Sequence, residues 1–254
     1  MNGILLAIQF FTAFPVTKEL PLGRKEVTAM YVALPFVGAA IGLSMYGMAY
    51  LLLDVGMTGT FLAAVLVTLT GVVLTGGLHL DGWADTGDAF FSYKDQEKRH
   101  EILGDPRLGA FGTMALVFLI VLRIALFNEL FLRGMDMLLI FIAVPFLSRI
   151  GLNIYFTTVK SAKDKGLAHF FKEKLNQQVV VTISIIAGLL FLGSMAIVLE
   201  TVVVPIVLFI VLAVSVWIFK SWSVKHFGGV TGDLSGTFIE GVEVLLWIVL
   251  LLFI

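Results

Sequence analysis

Asp81, Asp85 and Asp88 stand at i, i+4 and i+7. At about 100° per residue this spacing places three carboxylates in one stripe of a helix. Carboxylates so close repel one another unless a cation lies between them. Glu97, Glu101 and Asp105 repeat the device at i, i+4 and i+8. A hard ion such as Mg²⁺ suits these oxygens, because it commonly bridges one or two carboxylates to phosphate. Residues 76–112 hold seven of the eighteen acidic residues, interleaved with glycines, Trp83, Phe90 and Phe91, a pattern unlike that of a merely solvated loop. His79, two residues ahead of Asp81, reads either as a ligand or phosphate contact or as a hydrogen-bond donor at a membrane interface.

Two further clusters carry anion-binding chemistry. Asp105-Pro106-Arg107 precedes Gly109, Ala110 and Gly112, so an arginine falls beside the free N–H groups that open the next helix. The run Lys225, His226, Gly228, Gly229, Thr231, Gly232, Asp233, Ser235, Gly236 offers a glycine-rich cradle of backbone N–H groups before the last apolar segment. Carboxylates for a metal on one wall and cations with N–H groups on the other are what phosphoryl transfer needs, since its catalysis is positioning and charge neutralisation.

The rest of the chain must hold these clusters at a membrane. Of 254 residues 59% are hydrophobic and 14% charged, against about 25% charged in a soluble domain, and the mean hydropathy is +1.02. There is no cysteine, which excludes disulfides, thiolate catalysis and cysteine-ligated metal. Seven segments are long and apolar enough to span, near 28–53, 58–78, 108–132, 134–157, 179–199, 201–222 and 236–254. The expected fold is all-α: a polytopic membrane bundle of about seven transmembrane helices in one domain, 1–254, with a short N-terminal helix at the interface or packed on the bundle. Its catalytic loops are expected at 79–107 and 223–235. Lys18, Arg24 and Lys25, then Lys94, Lys98, Arg99 and Arg107, then Lys160, Lys163, Lys165, Lys172 and Lys174, and finally Lys225 flank one side of these spans, and only Arg133 flanks the other. The positive-inside rule therefore makes the first side cytoplasmic, with the N-terminus in and the C-terminus out. Arg123, Arg149 and Lys220 fall inside spans. Lys220 is placed to snorkel, Arg123 to pair with Glu129 or another acid, and Arg149 to approach an anionic ligand.

GGLHLDGWADTGDAF, the GDPRLGAFG element, and GGVTGD with Ser235, Gly236 and Glu240 resemble the signature segments of the cobalamin synthase family, the adenosylcobinamide-GDP ribazoletransferases. The QFFTAFPV start and KDKGL at 163–167 are also similar to family segments, so the likeness runs over nearly the whole chain. Thr237 stands where the family usually has alanine, and Gly104 and Pro106 where it has lysine and serine. The resemblance implies an enzyme of the cytoplasmic (inner) membrane, its site facing the cytoplasm, that uses Mg²⁺. It would transfer the cobinamide-phosphate unit from adenosylcobinamide-GDP to α-ribazole or its 5′-phosphate and release GMP. Asp81, Asp85 and Asp88 would hold the metal, one of them accepting the attacking proton. Glu101 would serve as a further metal ligand and Asp105 as a further catalytic carboxylate. His79, Lys98, Arg107, Arg149 and Gly229, Thr231, Gly232 and Asp233 would contact substrate. The partners expected are these substrates and the lipid bilayer, with no nucleic-acid polymer and with homo-oligomerisation left open.

Two other readings use the same residues. A CDP-alcohol phosphotransferase of lipid synthesis also uses aspartates for metal-assisted attack on a pyrophosphate, but Asp85 and the partial Glu101-x-x-x-Asp105 echo fit its pattern poorly. An ion-coupled transporter would keep its acids near the bilayer midplane, whereas these cluster toward the cytoplasmic ends.

Overall fold

The computed structural model describes residues 2–93, 95–134 and 137–253. Lys94, counted above among the basic residues of one face, lies outside them, as do Met1, Met135, Asp136 and Ile254. Among the described residues the regular secondary structure is helical apart from one bridge between Ser161 and Val230. The helices are α1 (Asn2–Phe11), α2 (Arg24–Tyr50), α3 (Thr60–Thr75), α4 (Leu78–Phe91), α5 (Gln96–Ile102), α6 (Ala110–Leu132), α7 (Leu138–Thr158), α8 (Leu167–Lys174), α9 (Gln177–Val198), α10 (Val203–Phe227) and α11 (Gly232–Phe253). A π-helical turn, Leu51–Val55, prolongs α2.

Helix is the form these apolar runs must take in lipid, where only intrahelical bonds satisfy the backbone. Among the described residues six helices are long and apolar enough to cross a membrane, and α3 with α4 makes a seventh if the pair is counted as one span. The pair is bent by 93°. Gly76 and Gly77 form the corner at φ of +64° and +73°, backbone that side chains with a Cβ rarely adopt. The span expected to run to 78 therefore stops at Thr75, and α4 turns across the end of the bundle. Segment 79–107, expected as a loop, is mostly the two helices α4 and α5, and in 223–235 only 228–231 link one helix to the next.

Helix α7 is the centre of the bundle. It packs on α2, α9, α10 and α11, and most of its residues are buried. Contact with α2 is close because a Cβ on Gly38 or Gly42 would collide with the Pro145 and Phe141 carbonyls of α7, the backbone approach that small residues allow in membranes. Helix α1 lies packed on α2 with Leu6 and Ala7 buried.

Deep between α6, α7 and α11 lies a buried ion network. Arg123 reaches Glu240 and Glu243 at 2.8 Å each, and Arg149 pairs with Glu243. Ser148 Oγ donates to Glu243 at 3.2 Å. Two arginines and two glutamates close a formally neutral set, which offsets part of the cost of burying charge in this layer. The partners of Arg123 are thus the α11 glutamates rather than Glu129.

Candidate active site

Helix α4 carries the aspartate stripe, and it is held by contacts that its glycines and threonines permit. A Cβ on Gly82 would meet the Asp233 carbonyl oxygen at 2.6 Å and its Cα at 2.9 Å, and one on Gly236 would meet the His79 backbone at 3.0 Å. These two glycines let α4 and the start of α11 touch backbone to backbone. Thr237 Oγ lies 2.8 Å from the Gly82 carbonyl, 2.8 Å from the Asp233 carbonyl and 2.7 Å from the Thr86 hydroxyl. The residue that departs from the family's alanine thus ties the two helices together. Trp83 Nε1 donates to the Ala115 carbonyl at 3.0 Å and fixes α4 to α6.

The three aspartates of the stripe do different things. Asp88 accepts the backbone N–H groups of Gly109 (2.7 Å) and Gly112 (2.9 Å), so its carboxylate closes the N-terminus of α6. Asp81 is exposed and lines a cleft. Asp85, between them and half-buried, has its carboxyl pushed up to about 6, first by desolvation and then by Asp81, Asp233 and Asp88. Among the described residues no group of three acidic or histidine side chains is preassembled as a metal cage.

The cleft is a cavity of about 390 Å³. Its mouth is polar, with Asp81 of α4, Ser161, Lys163 and Lys165 from the loop before α8, and Thr231, Asp233 and Ser235 at the start of α11. Its floor is aromatic. The two strips that frame it are joined by backbone bonds, Val230 N–H to the Lys160 carbonyl (2.9 Å) and Ala162 N–H to the Val230 carbonyl (3.0 Å). Gly229 serves this junction, since any Cβ there would strike the Lys160 carbonyl. Thr231 Oγ accepts the Leu234 N–H at 3.1 Å and caps α11. Gly232 leaves open space. His79 is 3% exposed and lines the cleft, and its Nε2 has no partner.

Other residues expected at the site lie elsewhere. Glu101 and Lys98 pair with each other on the exposed face of α5. Asp105 and Arg107 form a closed pair, with bonds from Arg107 Nε (2.9 Å), Nη2 (2.7 Å) and backbone N–H (3.0 Å). These bonds hold the Asp105 carboxyl down at about 2. Neither pair lines the cleft. Arg149 is consumed by Glu243 inside the bundle. Lys163 and Lys165, within the KDKGL segment, line the mouth and had no site role from spacing. Their signal was an excess of cations in a short loop, which topology alone also explains.

Comparison with known proteins shows the family. A family model described as cobalamin-5-phosphate synthase matches residues 3–251. An adenosylcobinamide-GDP ribazoletransferase of Geobacillus thermodenitrificans is 38% identical over 97% of this chain and 94% of its own length. Proteins with the same description from Geobacillus kaustophilus, at 35% with the same two coverages, and Clostridioides difficile, at 33% over 100% of this chain and 99% of theirs, are similar along their full length. No solved structure matches.

Proposed function

The chain belongs to the cobalamin-5-phosphate synthase family, and on that premise we propose that it performs the last assembly step of adenosylcobalamin. It joins adenosylcobinamide-GDP to α-ribazole, or to its 5′-phosphate, at the polar mouth of the cleft. A ribose hydroxyl oxygen that is free in both acceptors, and so not the 5′-oxygen, attacks the phosphorus of the cobinamide phosphate, the bond from that phosphorus to the bridging oxygen breaks, and GMP leaves with that oxygen. The hydroxyl proton passes to Asp81, the aspartate of the stripe that lines the cleft. Lys163, Lys165 and the open backbone at Gly232 meet phosphate oxygens.

The observation that carries this reading is the meeting of Asp81 of α4, the lysines of 161–166 and the start of α11 around one cleft. Mg²⁺ fits the donor set. Asp85 and Asp233 are hard oxygen donors in mutual repulsion, and this ion takes one or two carboxylates and completes its shell from phosphate and water rather than from a protein cage. When bound it supplies charge neutralisation on the pyrophosphate. Asp88 keeps α4 and α6 in register. The chain lies in the cytoplasmic membrane with the cleft on the cytoplasmic side, N-terminus in and C-terminus out, supported by the basic residues gathered at that end.

The test is reconstitution. Purified protein in lipid nanodiscs with MgCl₂, adenosylcobinamide-GDP and α-ribazole is expected to yield product and GMP in equal amounts by mass spectrometry, and none with CDP-diacylglycerol. No product with either acceptor, or turnover of the lipid substrate, refutes the assignment. Because the chain has no native cysteine, single cysteines placed at 162 and 200 report sidedness directly.

A further inference from the structure

The floor of the cleft differs in kind from its mouth. Phe10 and Phe11 of α1 face Tyr31 of α2, Phe156 of α7 and Phe171 of α8. Tyr31 stacks on Phe156 with centroids 4.9 Å apart, and Phe10 meets Phe171 edge-on at 5.0 Å. Tyr31, Phe156 and Phe171 are buried, while Phe10 and Phe11 are only half-buried. The α1 side is therefore the incomplete wall of an aromatic box. Box and mouth together make a cleft of about 390 Å³, near the lower end of the roughly 300–1,000 Å³ range of ligand pockets. The box is open to the mouth where Asp81 stands. His79, 3% exposed and with its Nε2 unpartnered, lines both this cleft and the small internal cavity beside Arg123, Arg149, Glu240 and Glu243.

We propose that this box takes the base of the acceptor nucleoside, held against the α1 phenylalanines, and so delivers the acceptor's ribose to the carboxylates; this rests on the function proposed above. Three flat or large groups compete for the space. Guanine of the donor carries hydrogen-bonding groups around its edge, which the phenylalanine walls would leave unpaired at high cost. The corrin ring, with its many amides, is both too large and too polar for this space. The dimethylbenzimidazole of α-ribazole is bicyclic, apolar at its methyl edge and nearly without donors. Base in the box and ribose at the mouth also put the ribose hydroxyls on the side of the cleft where Asp81 stands, whereas the reverse orientation would bury a ribose against phenylalanine. Helix α1 then has a task beyond anchoring, since it supplies one wall of the acceptor site.

Steady-state kinetics in nanodiscs separate the substrates. Phe10→Ala and Phe11→Ala are expected to raise KM for α-ribazole by about 5- to 150-fold, the range of one lost aromatic–base stack, and to leave KM for adenosylcobinamide-GDP unchanged. Phe10→Leu keeps the apolar volume and is expected to raise the same constant by less. Phe14→Ala, exposed and outside the box, is expected to change neither. An unchanged acceptor KM in both alanine variants, or a rise in the donor KM instead, overturns the proposal. A second measurement needs no turnover: binding of free 5,6-dimethylbenzimidazole to the unsubstituted protein, followed by its own fluorescence. Saturable binding weakened by Phe10→Ala supports the box, and no saturable binding overturns it. Absence of product in the unsubstituted protein refutes the assigned reaction and is read separately from this binding.

Discussion

Replacing Asp85 by asparagine removes a charge from a place where the fold has gathered Asp81, Asp88 and Asp233. Burial and these neighbours lift the Asp85 carboxyl from 3.8 to about 6. A shift of about two pKa units corresponds to roughly 3 kcal/mol at 1.36 kcal/mol per unit, and because the group is half-exposed, screening by water reduces this to about 1–2 kcal/mol. The sign follows from the raised folded value. Stability associated with Asp85 is fully present below the unfolded pKa of 3.8 and is lost as pH rises through about 6. At pH 7.5 without divalent ions, Asp85→Asn is therefore expected to be more stable by about 1–2 kcal/mol, roughly 2–8 °C in Tm on the scale of a domain of this size. The gain should fade as the pH approaches 4. With millimolar Mg²⁺ the order reverses, because the parental protein gains binding energy that the variant forfeits together with its activity. Thermal unfolding in detergent at pH 4, 5.5 and 7.5, with EDTA or MgCl₂, reads all of this. An asparagine variant that is less stable in EDTA at pH 7.5, or that turns over at the parental rate, refutes the reasoning.

Glu243→Gln leaves Arg149 without its buried carboxylate, and removing one partner of such a pair costs about 3–5 kcal/mol. The expected result is a large loss of folded protein on size exclusion, with near-parental activity per folded molecule. Gly82→Ala drives a Cβ against the Asp233 backbone at 2.6 and 2.9 Å, where no flexible side chain can yield. Displacement of α4 by about an ångström is expected to lower kcat by about 100-fold, while Gly47→Ala, which meets nothing within 4 Å, should leave kcat unchanged. Lys163→Ala removes the charge-assisted contact to phosphate proposed above and is expected to lower kcat/KM for the donor by about 10- to 150-fold, as about 1.5–3 kcal/mol implies. Lys163→Arg should recover part of it.

The all-helical bundle could be read from the sequence because lipid leaves the backbone almost no other choice. The corner at Gly76 and Gly77 could not. Two adjacent glycines mark it, and only the positive φ of both shows that they turn α3 into α4. The i, i+4, i+7 spacing correctly placed Asp81, Asp85 and Asp88 on one stripe, yet a stripe does not say what faces it. Asp81 meets a cleft and Asp88 meets the start of α6, some twenty residues on. Lys98 with Glu101 and Asp105 with Arg107 illustrate the opposite failure, in which acids and bases three or two residues apart neutralise each other before any ligand arrives. Arg123 is legible as a residue that must be paired, whereas Arg149, expected to approach an anionic ligand, is paired inside the bundle instead. Their partners lie 94 to 120 residues away in the chain, a distance at which local pattern carries no information.

The charges of the site and of the bundle beneath it form two layers with different balances. In the lower layer Arg123 and Arg149 meet Glu240 and Glu243 and close to zero, so it holds α6, α7 and α11 together without demanding an ion. In the upper layer the N-terminus of α6 offsets Asp88, and Lys163 and Lys165 face Asp81 and Asp233 across the mouth. Asp85 is what remains over, and its raised carboxyl records that excess. A fold that needed only stability would have placed an amide there. The excess fits the proposed binding of a pyrophosphate with its counter-ion, since neutralisation would then be completed only when the substrate is in place. The neutral layer below keeps α11 fixed while that happens, so the cost of the unbalanced carboxylate is borne by α4.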